Sequence, residues 1–137
     1  MNLIINTDSP GLCSRLLTIL SELSHAYVIS VANNLDEAEV LINKNDVQVF
    51  ITAFHNLPKD VFKKLKEIKK NNSSLIVIVL ANNTTDQYLR QWQNAGADYV
   101  FDQAMHFTKV VDVLSGLIYK NLFESLKSNK SNQRDNI

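Results

Sequence analysis

The chain has 137 residues, the length of one ordinary domain, and 45% of them are apolar, enough to bury a core and to exclude wholesale disorder. Its 14 Lys and Arg balance 14 Asp and Glu, so the basic excess that marks a nucleic-acid binder is missing and no nucleic-acid partner is expected. One cysteine, Cys13, allows neither an intramolecular disulfide nor a cysteine-based zinc site.

The first predicted strand is Asn2–Asn6; with Met1 it lacks the basic region and small-residue cleavage site of a secretory leader. Ser9 and Pro10 are a cap and first-turn signal for a helix whose stripe is Leu12, Leu16, Ile19, Leu20 and Leu23. Cys13 falls among these leucines and reads as a core thiol. Ala26–Ala32 reads as a second strand, through Tyr27, Val28, Ile29 and Val31. Asn34 opens the second helix, with Glu37 three residues on in a capping-box pattern and Ala38, Leu41 and Ile42 on its apolar face.

Val47–Thr52 is the third strand, and Pro58–Lys70 the third helix. That helix buries Val61, Leu65 and Ile68 and turns Lys59, Lys63, Lys64, Lys66, Lys69 and Lys70 to water as a solvated face. The fourth strand is Leu75–Leu80. The apolar run there, Leu75 to Ala81, is far short of the ~20 residues that cross a bilayer, so no membrane contact and a cytoplasmic location are expected. Thr85–Ala95 is the fourth helix, carrying Tyr88, Leu89 and Trp92 and stopped by Gly96. Asp98–Phe101 is the fifth strand, and Thr108–Leu126 the fifth helix, with Val110, Val113, Leu114, Leu117 and Ile118 facing inward. The end of the chain is polar, with three basic residues and one acidic. One domain is therefore expected over 1–125, followed by a flexible C-terminal tail over 126–137.

Strand and helix alternate five times, and the strand centres are nearly continuous Ile, Val, Leu and Phe. This predicts an α/β fold, a parallel sheet with helices on both faces. In such sheets ligands bind beyond the C-terminal ends of the strands. Those ends deliver Thr7 and Asp8; Ala53, Phe54, His55 and Asn56; Ala81, Asn82 and Asn83; and Asp102 and Gln103. Phosphate-cradling glycine motifs and a nucleophile elbow are absent, and no nucleophile–base arrangement stands out, so the chain does not read as an enzyme. His25 and His106 have no ligand-spaced partners, and His55 reads as an exposed loop residue.

Thr7-Asp8-Ser9-Pro10 and Ala95-Gly96-Ala97-Asp98-Tyr99-Val100, set in five βα units over about residues 1–125, resemble a response-regulator receiver domain of the CheY-like type. The resemblance implies a flavodoxin-like, doubly wound, five-stranded sheet of order 2-1-3-4-5 with five helices. It also implies a phosphorylation site, and there the residues depart from the pattern. Of the two acids that hold Mg²⁺ after the first strand, the first is Thr7, and Asp8 is a remnant. The phosphoryl acceptor falls on Ala53 or Phe54, the Thr or Ser ending strand four on Leu80, and the charge-neutralising Lys on Asp102, its following Pro being Gln103. Tyr99 matches the aromatic switch position. A carboxylate in place of the lysine is a swing of ~4 kcal/mol against an anion about 4 Å away at intermediate dielectric.

The expected function is thus that of a degenerate pseudo-receiver. It would be a stand-alone module of two-component phosphorelay signalling that works by protein–protein contact without aspartyl phosphorylation, cofactor or metal. The partner would be a sensor kinase, an output protein or a second copy. The resemblance puts the contact on helix four, strand five and helix five, where Tyr88, Leu89, Trp92 and Tyr99 lie, aromatic side chains being over-used in binding hot spots. The alternative is a flavodoxin-like module binding a small ligand or ion through Asp8, His55, Asn82, Asn83 and Asp102.

Overall fold

A computed structural model describes residues 1–135. Five parallel strands, β1 Asn2–Thr7, β2 Val28–Ala32, β3 Val49–Ala53, β4 Ile76–Ala81 and β5 Tyr99–Asp102, form one sheet in the order β2-β1-β3-β4-β5. Five helices connect and cover them: α1 Pro10–Leu20, α2 Leu35–Lys44, α3 Val61–Asn71, α4 Asp86–Asn94 and α5 Lys109–Asp135. The doubly wound architecture and strand order are those expected.

Each central strand alternates between two separate cores, which is why the strands read as unbroken apolar runs. Ile4, Phe50, Val77 and Val79 pack with α2, α3 and α4 on one face. Leu3, Ile5, Val49, Ile51, Ile78 and Leu80 pack with α1 and α5 on the other. The edge strands differ from expectation. Val28 is 66% and Val31 44% exposed on β2, and no residue of β5 is fully buried. An edge strand lacks a neighbour and is less covered by helices, a property of its place in the sheet that local composition does not carry.

The helix signals act largely as read. Ser9 Oγ accepts from the Leu12 amide at 3.2 Å with Pro10 in the first turn, and Asn34 Oδ1 accepts from the Glu37 amide at 2.8 Å. Glu37 does not close a box back onto Asn34; its carboxylate accepts from Asn33 Nδ2. Pro58 does not open α3. Asp60 adopts a left-handed conformation (φ 62°), which interrupts the helical path, so the helix begins at Val61. Past Leu126, where a flexible tail was expected, α5 continues in its backbone to Asp135. No Gly or Pro follows Gly116 to stop it, and a polar composition removes packing partners without removing helical hydrogen bonds. The last two tail residues, 136 and 137, lie outside the described residues.

The Ala95–Asp98 segment clamps β5 to its neighbour. Gly96 turns at φ +102°, where an added Cβ would stand 2.7 Å from Lys69 Cγ. Lys69 runs over it to pair with Asp98 at 2.8 Å, and the same carboxylate oxygen accepts from the Val77 amide at 2.8 Å. Glycine is needed here for both its backbone angle and its lack of bulk.

Candidate functional site

The C-terminal ends of β1, β3, β4 and β5 converge on one crevice, and the sheet register sets its floor: Thr7 lies beside Ala53, Ala53 beside Leu80, and Ala81 beside Asp102. Both candidates for the acceptor position are buried and apolar. Ala53, fully buried, points to the α1/α5 core, and Phe54 turns to the opposite core. Leu80 is fully buried as well. None of the three has an oxygen or nitrogen in its side chain.

Several of the polar residues around this floor are bonded to the protein itself. Thr7 Oγ1 accepts from the Ser9 amide at 3.1 Å and closes the turn into α1. Asp8 Oδ1 accepts from the His55 amide at 2.8 Å and Oδ2 from the Asn56 amide at 3.0 Å, so both carboxylate oxygens clasp the β3–α3 loop. Asn82 Nδ2 donates to the His55 carbonyl at 3.1 Å and ties the β4–α4 loop to the same turn. Gln103, 8% exposed, reaches across the strand ends. Its Nε2 donates to the Leu80 carbonyl at 2.9 Å and to the Phe54 carbonyl at 3.1 Å.

Asp102 borders the crevice. Its Oδ1 accepts from the Ala104 and Met105 amides, both at 2.9 Å, forming the turn that leads into α5. These bonds, the Met105 amide first and the Ala104 amide next, favour the ionised form and hold the carboxyl below the ordinary carboxylate range. Since the folded-state value is depressed, the turn is stabilised above about pH 4 and that stabilisation is lost as the pH falls through the folded value. Asp102→Ala should therefore flatten the acid limb of the stability curve, measured as melting temperature between neutral pH and about pH 2. An unchanged acid limb would show that the carboxylate does not hold the turn.

The cation that lines the crevice is Arg15, and its guanidinium is stacked 4.6 Å from the centre of the Phe107 ring. No group of three His, Cys, Asp or Glu among the described residues could hold a metal ion. Beside the crevice a cavity of about 170 Å³ opens between the two loops, walled by Phe54, Leu57, Tyr88 and Trp92 with His55, Asn82 and Asn83 at its edge. Of the five residues proposed to bind a ligand, three border this cavity. The other two, Asp8 and Asp102, are turned to backbone amides. His25 is exposed, His106 lies in the β5–α5 turn, and Cys13 is half-buried in α1.

The expected contact face is only partly a surface. Trp92 is 2% exposed, its ring tilted at 59° against Phe62 of α3 with centroids 4.6 Å apart, so it belongs to the core and cannot meet a partner. On α4 the side facing α3 and the sheet is occupied by the largest apolar side chain, the ordinary result of burying an amphipathic stripe. Tyr88 and Leu89 are half-buried. Tyr99 is 39% exposed and stacked on Phe101 at 5.9 Å.

No protein-family model matches the chain, and no curated protein does. Solved structures do. The chain superposes on the signal receiver domain of a DNA-binding response regulator from Colwellia psychrerythraea with a TM-score of 0.76 at 21% identity, over 87% of this chain and 98% of that one. A two-component response regulator from Clostridium difficile gives 0.74 at 17% identity, over 87% and 96%. The chemotaxis protein CheY4 of Vibrio cholerae gives 0.70 at 16%, over 83% and 95%. The fold is the CheY-like receiver fold.

Within that fold, the convergence of the strand ends on one crevice was legible in the sequence, and what fills the crevice was not. Gln103 directly follows β5 in the sequence; its role as a cross-strand tie depends on the path of the β5–α5 turn. An amide at the mouth of a parallel sheet, with two strand-end carbonyls in reach, was the available signal.

Proposed function

We propose that this chain is a receiver-like module of two-component signalling that works by protein contact and does not accept a phosphoryl group on an aspartate. The observation that carries the reading is the crevice. Apolar Ala53 and Phe54 stand at the acceptor position, and a neutral amide, Gln103, ties the ends of β3 and β4 together. Aspartyl phosphorylation needs a carboxylate to attack and cations to neutralise the transferred group. Here the nearby carboxylates, Asp8 and Asp102, are each bound to two backbone amides, and the lining cation, Arg15, is stacked on Phe107.

A module of this kind signals by presenting a conformation that its partner selects, and affinity follows from the population of that conformation. The internal ties at Asp8, Asn82 and Gln103 favour one arrangement of the crevice loops. The partner is a protein of a signalling pathway in the cytoplasm, and the surface parts of the α4–β5–α5 side, with Tyr99 and the outer edges of Tyr88 and Leu89, are its contact. No helix among the described residues is long and apolar enough to cross a membrane.

Incubation of the protein with acetyl phosphate and Mg²⁺ tests it. The expected intact mass is that of the unmodified chain. A stoichiometric acyl phosphate would overturn the proposal and require an acceptor carboxylate in the crevice.

A further inference from the structure

The outward side of α5 changes character along its length. Its first half turns Lys109, Asp112 and Gly116 to solvent, while Val110 and Leu114 are buried against the sheet. Beyond Ile118 the pattern inverts. Tyr119, Leu122, Phe123 and Leu126 are 74%, 54%, 68% and 55% exposed, and Asn121 and Ser125 take over the side that had faced the core. The four large side chains follow at i, i+3, i+4 and i+7, which places them on one stripe of the helix. Other exposed apolar side chains among the described residues are scattered singly or in pairs over β2, β5, α1, α2 and the loops.

We infer that this stripe is a homodimer seam, covered by the same stripe of a second copy of the chain. The four side chains present roughly 500 Å² of apolar surface, at the upper limit of what monomers leave contiguous and exposed. Doubled across a two-fold axis, that reaches about 1,000 Å², the least a specific interface requires. Charge favours a like partner. With Tyr119, Leu122 and Leu126 as the seam, the flanking positions are Ile118, Phe123 and Ser125, all uncharged, while Lys120, Glu124 and Lys127 fall on the outer side. Between Ile118 and Lys127, two copies therefore oppose no like charges across the seam. The chain's net charge of zero adds no long-range repulsion between copies. Geometry permits the approach as well. At 27 residues α5 is about 40 Å long, and the helices that cover the sheet have 9 to 11 residues, so its second half runs beyond the globular body. The inference does not depend on the signalling reading, since a dimer would form whether or not the crevice accepts phosphate.

Sedimentation velocity of the full chain up to roughly 100 μM is the test, and twice the monomer mass is the expected species. Leu122→Glu with Phe123→Glu should weaken association by about 30-fold or more while leaving the thermal unfolding of the domain in place. Val28→Glu, at the exposed edge of β2, should leave the dimer intact. A monomer at every concentration, a dimer that survives the double substitution, or one dissociated by Val28→Glu would each overturn the seam. Should the glutamate variant fail to fold, Leu122→Ala with Phe123→Ala keeps the question decidable: association should weaken by about 10-fold or more, and a dimer of unchanged strength would refute the inference.

Discussion

Trp92→Ala is expected to lower the unfolding free energy by about 3–5 kcal/mol, among the largest losses a single truncation here can give. The indole is 2% exposed and packs on Phe62 from α3, so it joins α4 to the α3 side of the core. Removing it also enlarges a space that already exists. Trp92 walls the 170 Å³ cavity beside the crevice, and a wall with an opening behind it collapses poorly onto its neighbours. For a domain of this size the loss corresponds to a fall in melting temperature of roughly 10–15 °C. Urea unfolding followed by far-UV circular dichroism measures it, because the substitution removes the chain's one tryptophan and with it the intrinsic fluorescence signal. Phe62→Leu, which keeps most of the volume, should cost a fraction as much. A loss below about 1 kcal/mol would return Trp92 to the surface and restore it as a candidate contact.

The misplacement of Trp92 and the success of the strand order have the same origin. β1, β3 and β4 are covered on both faces, so most of their residues share one physical requirement, with Asn6 and Thr52 as buried polar exceptions, and their Ile, Val, Leu and Phe runs reveal them without reference to anything distant. Whether an aromatic residue on α4 points inward or outward depends instead on how α4 is rotated against α3, a tertiary fact. A preference of tryptophan for interfaces is the same preference for apolar burial that fills cores, and composition alone does not separate the two. The crevice divides in the same way. That Ala53, Phe54, Leu80 and Asp102 lie at or next to the strand ends is a matter of counting along the chain. That Asp8 binds the amides of His55 and Asn56, and Asp102 those of Ala104 and Met105, depends on the loop paths. Tyr119, Leu122, Phe123 and Leu126 stand at helical spacing in the sequence, but which side of a helix faces the core is again a tertiary fact.

Gln103→Leu is expected to cost roughly 2–4 kcal/mol, although it nearly conserves side-chain volume. The wild-type amide gives one hydrogen to each of two carbonyls, Leu80 at 2.9 Å and Phe54 at 3.1 Å, and its residue is 8% exposed. Leucine fills the space and leaves both oxygens facing a methyl group where water has little access, and an unmade buried bond costs more than a made one contributes. Because one carbonyl lies in β4 and the other just past the end of β3, the loss should also loosen the strand ends relative to each other. Amide hydrogen exchange in the β3–α3 and β4–α4 loops should then accelerate more than exchange at the middle of the sheet. Gln103→Glu separates hydrogen bonding from shape. Its ionised carboxylate sets lone pairs against both carbonyls, so burial raises its folded-state pKa and the deficit relative to wild type should be greatest above the ordinary glutamate range of about 4.3. In more acid solution a protonated carboxyl can donate to one of the two oxygens, and the deficit should narrow. A Glu variant as stable as wild type at neutral pH would mean that the side chain does not lie between the strands. The crevice would then be open to an anion, and the reason for reading the module as fixed in one conformation would be gone.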